Sequence, residues 1–310
     1  MDININSTSA PVVLLFAGQG NPVIGMGADL WDINAATRHI WDCASDISGL
    51  DLRRLCLKGP MNKLIQTTVQ QLAVTAINLT LYTLMREKIA SRTILGVCGH
   101  SVGEYSALYA AGALQLEDIF SIIHFRAALM DRLSRQNKGS MLAVKGLDYL
   151  AMRQRIADAG MELDISCDNS RFQQVVGGTA SALSEFNRRL VAEGLAAVKL
   201  GVSGAWHTRL MSDGVQQMQD FLMDIPIGQP LCDVLMNVTG APESDPQAIR
   251  QNLSQHLTHT VKWTDSLERL LAYETPPLFI EISNKAYLGQ LLNDFPRSSP
   301  EMILHCRKII

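Results

Sequence analysis

The stretch Thr93-Ile94-Leu95-Gly96-Val97-Cys98-Gly99-His100-Ser101-Val102-Gly103-Glu104 decides the fold. Thr93 to Val97 is a short apolar run and reads as a buried strand. It leads at once into Gly99-His100-Ser101-Val102-Gly103, a G-x-S-x-G pattern. Tyr105 to Ala111, rich in alanine and leucine, then reads as a helix. A strand that turns sharply into a helix with serine at the apex needs room on either side, which the two glycines give. The serine hydroxyl is then exposed. The helix N-terminus behind it offers free N–H groups and a positive dipole end, which together can stabilise an oxyanion. G-x-S-x-G also occurs by chance in ordinary loops, so its place between a strand and a helix is what makes Ser101 a candidate nucleophile.

Outward from this turn, Pro11 to Phe16 is another buried strand, ending in Ala17-Gly18-Gln19-Gly20. Lys63 to Arg86 is helical in pattern, and further strands are expected at Leu231 to Met236, Leu278 to Ile282 and Met302 to His305. Strands alternating with helices imply an α/β chain with a parallel sheet. The middle changes rhythm. Strands at Ser140 to Val144, Leu163 to Cys167, Gln173 to Val176 and Leu195 to Lys199 enclose helices at about 148–160 and 181–193. That β-α-β-β-α-β order is the ferredoxin-like pattern. The expected division is a catalytic domain from 1–136 and 205–310, with a small subdomain, 137–204, inserted in it.

The 310 residues are 47% hydrophobic and 18% charged, with a net charge of −3. This is a globular composition and lacks the basic excess of a nucleic-acid binder. Six cysteines stand singly, with no metal-ligand spacing and no disulfide framework. They read as reduced thiols of a cytoplasmic protein. The opening MDININSTSA lacks the pattern of a signal peptide, and no apolar run approaches the roughly 18 residues of a membrane span.

Gly99 to Ala107 resembles the nucleophile segment of malonyl-CoA:acyl-carrier-protein transacylases, which include the fatty-acid enzymes and the free-standing acyltransferases of polyketide synthesis. Phe16-Ala17-Gly18-Gln19-Gly20 resembles the family's amino-terminal G-Q-G loop. Phe125-Arg126-Ala127-Ala128-Leu129-Met130 resembles its R-x-x-x-M stretch, and Ala205-Trp206-His207-Thr208-Arg209-Leu210-Met211 its histidine segment. The four motifs stand in family order across most of the chain.

The resemblance implies an α/β-hydrolase-like large domain with a ferredoxin-like insert. Ser101 would be the nucleophile and His207 its general base. The backbone N–H groups of Gln19 and Val102 would form the oxyanion hole, and Arg126 would bind the free carboxylate of malonyl. His100 would shape the acyl pocket, or simply fill the turn. Asn169 would face the site, or cap a turn. Trp206 would crowd an α-methyl branch, favouring malonyl over methylmalonyl.

Malonyl-CoA is then the donor substrate, with no cofactor and no metal. An acidic, phosphopantetheinylated acyl carrier protein is the partner, and Arg153, Arg155, Arg188, Arg189 and Lys199 are docking candidates or an ordinary solvated face. Three stretches depart from the family. Asn21-Pro22 replaces Ser-Gln. His256 stands where a glutamine usually orients the base through its carbonyl. Glu281-Ile282-Ser283-Asn284-Lys285 replaces a Gly-Pro-Gly turn. An acyl hydrolase that clears carrier proteins is the alternative activity.

Overall fold

The computed structural model describes residues 10–20 and 22–310. Asn21, and residues 1–9 on which most of the signal-peptide reading rests, lie outside the described residues. Eleven strands are seen among the described residues: β1 (Val12–Phe16), β2 (Ile94–Gly99), β3 (Gly139–Lys145), β4 (Leu163–Ser170), β5 (Gln173–Thr179), β6 (Ala197–Lys199), β7 (Asp233–Leu235), β8 (Pro242–Glu243), β9 (Val261–Lys262), β10 (Leu278–Ile282) and β11 (Ile303–His305).

The first sheet has the order β11-β10-β1-β2-β7-β8, parallel except for the β7–β8 pair. Every residue of β1 and β10 is buried, which explains their near-continuous apolar sequences: a parallel sheet covered on both faces has no polar side. Helices Ala35–Ser48, Thr67–Met85 and Leu116–Gln136 pack on one another, and Gly103–Ala110 packs against β1 and β2. The helix read over Lys63 to Arg86 is two helices, Met61–Leu64 and Thr67–Met85, because Gln66 is extended. The break puts the Thr67 hydroxyl at a helix start, where it donates to Gln19 Oε1 at 3.0 Å.

The second sheet has the order β6-β3-β5-β4-β9. Its first four strands pair antiparallel, and helices Tyr149–Ala159 and Ala180–Ala192 close a small core of Leu142, Val144, Met152, Ile165, Val176 and Phe186. The fifth strand, β9, was not expected. It comes from chain beyond residue 204 and pairs parallel with β4. Two residues are too few to show a strand period in sequence. What holds β9 is tertiary: Thr260 Oγ1 donates to Ile165 O at 2.6 Å, and Lys262 N to Asn237 O at 2.9 Å. Asn237 follows β7, so this short strand ties the two sheets together beside the elbow.

Candidate active site

The turn after β2 is as tight as its glycines suggested. His100 N donates to Phe16 O and Gly103 N to His100 O, both at 2.9 Å. A Cβ on Gly99 would lie 2.0 Å from the Gly103 carbonyl group, one on Gly103 2.3 Å from Phe16 O, and one on Gly18 2.4 Å from His100 O. Backbone fills those positions, so only glycine fits. Ser101 sits at the apex with φ +51°, and His207 has φ +58°. They are the two non-glycine residues with positive φ among the described residues. Such strain persists only where surrounding contacts impose it, and it collects at functional sites.

The structure brings the predicted pair together. Ser101 Oγ lies 2.8 Å from His207 Nε2, and His207 Nδ1 lies 2.8 Å from the backbone carbonyl of His256. That carbonyl can only accept, so Nδ1 carries the proton and Nε2 presents its lone pair to the serine. Burial, aided by the nearby Arg126 charge, lowers the His207 pKa to about 3. The imidazole is therefore neutral near pH 7, the state a base requires.

Arg126 projects from helix Leu116–Gln136 and is fully buried. Its Nη1 donates to Gln71 Oε1 at 2.5 Å, and its Nη2 lies 3.4 Å from Ser101 Oγ. The Tyr105 ring lies beneath the guanidinium, 5.7 Å from Cζ. Burial lowers its pKa from the ordinary arginine value. No carboxylate forms an ion pair with it among the described residues. A buried, unneutralised guanidinium beside the Ser101 hydroxyl is costly unless an anion arrives.

Below the elbow lies a buried polar cluster. Asn237 Oδ1 accepts the Ser101 N–H at 2.8 Å, and Asn237 Nδ2 donates to Gly99 O at 2.7 Å. Asn237 N donates to Glu104 Oε1 at 2.5 Å. His256 Nε2 is 3.2 Å from Asn237 Oδ1, and His256 Nδ1 is 3.1 Å from Glu104 Oε2. Sequence reading missed Asn237 and Gln71, and it assigned His256 only a backbone role. A polar residue just past a parallel strand was the available signal for Asn237, since ligands bind at the carboxyl ends of such strands. For Gln71, the signal was an amide within an otherwise apolar helix.

Gln19, Val102, His100 and Asn169 stand at or beside the same elbow. The N–H groups of Gln19 and Val102 have no partner among the described residues. His100 Nε2 lies 2.8 Å from Asn169 Oδ1, a contact from the elbow to β4, and the His100 ring packs edge-on to Trp263 at 5.4 Å. Asn169 thus lies within a strand and caps no turn. Trp206 is buried, its ring closing over Gly204. Of the five basic residues, Arg155 pairs with Glu193, and Arg188 and Arg189 both pair with Glu185. Arg153 lines a cavity of about 280 Å³ together with Tyr149, Asp164, His207 and His259. No cluster of metal-ligating side chains is present among the described residues.

Fold and site together define the class: a mixed α/β enzyme with a serine–histidine pair at a tight strand-to-helix turn. The chain belongs to the acyl transferase domain family, which matches residues 13–304. It is 36% identical over 280 residues to the polyketide biosynthesis protein ThaF of Burkholderia thailandensis, covering 90% of this chain but only 24% of that much longer protein. It is 33% identical over 268 residues to the polyketide biosynthesis malonyl CoA-acyl carrier protein transacylase BaeC of Bacillus velezensis, covering 84% of this chain and 88% of the other. Among solved structures it is similar to the malonyl-transacylase PlMCAT in complex with the type II polyketide synthase acyl-carrier protein AntF. There the TM-score is 0.86 at 27% identity, covering 96% of this chain and 95% of the other.

Proposed function

We propose that this enzyme moves a malonyl, or related dicarboxylic acyl, group from CoA to the phosphopantetheine thiol of an acyl carrier protein through a Ser101 acyl-enzyme. One observation carries the substrate class: the buried Arg126 guanidinium forms no ion pair with a carboxylate among the described residues and stands 3.4 Å from the nucleophilic oxygen. In malonyl the free carboxyl carbon is about 2.5 Å from the thioester carbonyl carbon, the span across one methylene. A carbonyl held against Ser101 Oγ thus brings its carboxylate to the guanidinium.

His207 Nε2 takes the Oγ proton as Oγ attacks the thioester carbonyl. The Gln19 and Val102 N–H groups receive the developing oxyanion. Collapse breaks the C–S bond, and His207 returns the proton to the departing CoA sulfur. The carrier thiol then gives its proton to His207 and attacks the Ser101 ester, and collapse restores the serine hydroxyl. The chemistry uses no cofactor and no metal.

The topology supports reading the first sheet and its helices as an α/β-hydrolase-like domain, from 1–136 and 205–310. The four antiparallel strands of the second sheet support reading 137–204 as a ferredoxin-like subdomain, with β9 lent to it by the larger domain. On that subdomain Arg153 and Lys199 form no ion pair with an acid among the described residues, so they are the stronger docking candidates for an acidic carrier. No helix among the described residues is long and apolar enough to cross a membrane. All six cysteines are unpaired, which fits a reducing cytoplasm.

The alternative, hydrolysis of acyl carriers, differs only in the acceptor. Isolating the malonyl-enzyme and chasing it with a phosphopantetheinylated carrier separates the two. Transfer to the carrier outpacing release of free malonate is expected. Release at the same rate with or without carrier overturns the transferase reading.

A further inference from the structure

Two buried ionisable groups lie next to the dyad without entering the chemistry above: Glu104 and the His256 side chain, both wholly buried. Their hydrogen bonds leave few protonation patterns. Asn237 Oδ1 accepts the Ser101 N–H and Asn237 Nδ2 donates to Gly99 O, so the amide cannot be flipped without setting donor against donor. His256 Nε2, 3.2 Å from that same Oδ1, must therefore be the donor. His256 Nδ1 and Glu104 Oε2 face each other at 3.1 Å and have no hydrogen-bond partner elsewhere among the described residues. One proton lies between them.

We infer that Glu104 is a neutral carboxylic acid donating its proton to Nδ1 of a neutral His256, and that this pair positions both members of the dyad. Through Nε2–H and Asn237 it holds the Ser101 backbone. Through the His256 carbonyl it holds His207 in the Nδ1–H tautomer. The inference rests on the reading of His207 as the base, and it assigns the His256 imidazole a role beyond its carbonyl.

Electrostatics favour this state over an ion pair. The His256 ring is 4.9 Å from the His207 ring. Burial, followed by His207, Arg126, His100 and His259, pushes the His256 pKa well below the ordinary value. Burial raises the Glu104 pKa to about 8, against the opposing pull of its Asn237 bonds and of Arg126. An imidazolium at His256 would also oppose the charge that His207 acquires when it takes the serine proton. A neutral pair avoids that conflict.

The inference separates variants that an ion pair would not. In Glu104→Gln the amide oxygen can still accept from Asn237 N–H, and its NH₂ can still donate to His256 Nδ1. This conservative variant is expected to form acyl-enzyme within about three-fold of the wild-type kcat. Glu104→Leu and His256→Leu lose the bonds, and kcat should fall about 10–100-fold with little change in KM for malonyl-CoA. Glu104→Gln failing as badly as Glu104→Leu overturns the inference.

Nitrogen NMR of the histidine-labelled wild-type enzyme gives a test that needs neither variant nor activity. His256 should report a neutral ring protonated at Nε2 at pH 7. A doubly protonated His256 overturns the inference even if acyl transfer proceeds as described. A neutral Nε2–H ring in an enzyme that forms no acyl adduct would instead overturn the functional reading and leave the pair standing.

Discussion

Replacing Arg126 with alanine should convert a donor preference rather than simply lower activity. The guanidinium is fully buried, held by the neutral partners Gln71 Oε1 and, at longer range, Ser101 Oγ, and unpaired with any carboxylate among the described residues. A malonyl carboxylate docking there would form up to two charge-assisted hydrogen bonds at about 1.5–3 kcal/mol each. Losing them leaves a carboxylate desolvated without a partner, for which breaking a buried pair costs about 3–5 kcal/mol. Taking about 3–4 kcal/mol, kcat/KM for malonyl-CoA falls about 10²–10³-fold. An acetyl donor places no anion near residue 126, so its kcat/KM should hold or rise once the unneutralised charge is gone. Arg126→Lys should fall between, keeping the charge but not the two-pronged geometry. The assay is the rate of acyl-enzyme formation from each donor by rapid quench and intact mass. Equal losses for malonyl and acetyl would overturn this role, because Arg126 would then be supporting Ser101 rather than reading the carboxylate. So would an unaffected malonyl rate.

Gly103→Ala drives a methyl group to 2.3 Å from Phe16 O. It should cost about 1–3 kcal/mol in denaturant unfolding and about 100-fold in acyl-enzyme formation as the elbow opens. Stability should fall on both sides of neutrality. His207, near 3 when folded against its ordinary 6.5, contributes stability above 6.5 that is lost as pH falls toward 3. Glu104, near 8 when folded against 4.5, contributes stability below 4.5 that is lost as pH rises through 8. Melting curves across pH should show the alkaline loss shrinking in Glu104→Gln. Trp206→Ala should raise the methylmalonyl-to-malonyl rate ratio by roughly 5- to 150-fold, about 1–3 kcal/mol, if the ring excludes the α-methyl group. An unchanged ratio would make the ring a core filler over Gly204.

What could be read from sequence follows the range of the forces involved. The elbow is local in its pattern: Gly99, Ser101 and Gly103 sit within five residues, and Gly99 is required by Gly103 itself, although what Gly103 must clear is Phe16 O on β1. The strands β1, β2 and β10 are local in the same sense, since burial on both faces leaves a near-continuous apolar run. Asn237 and His256 reach the elbow from 136 and about 155 residues away, and only the closed structure shows that the Asn237 side-chain amide serves Ser101 and Gly99 while its backbone N–H serves Glu104. β9 is invisible for the same reason, because two residues become a strand only when β4 is beside them. The basic side chains of the insert differ again: which are spent on Glu185 and Glu193 depends on helix register and side-chain geometry that composition does not carry.

The proposed chemistry begins with Ser101 taking up a dicarboxylic acyl group from CoA. Incubating the enzyme with malonyl-CoA, methylmalonyl-CoA or acetyl-CoA and weighing the intact protein tests it most directly. A malonyl adduct that maps to Ser101 and is absent from Ser101→Ala is expected. No adduct with any donor, or a malonyl adduct that persists in Ser101→Ala, would contradict it.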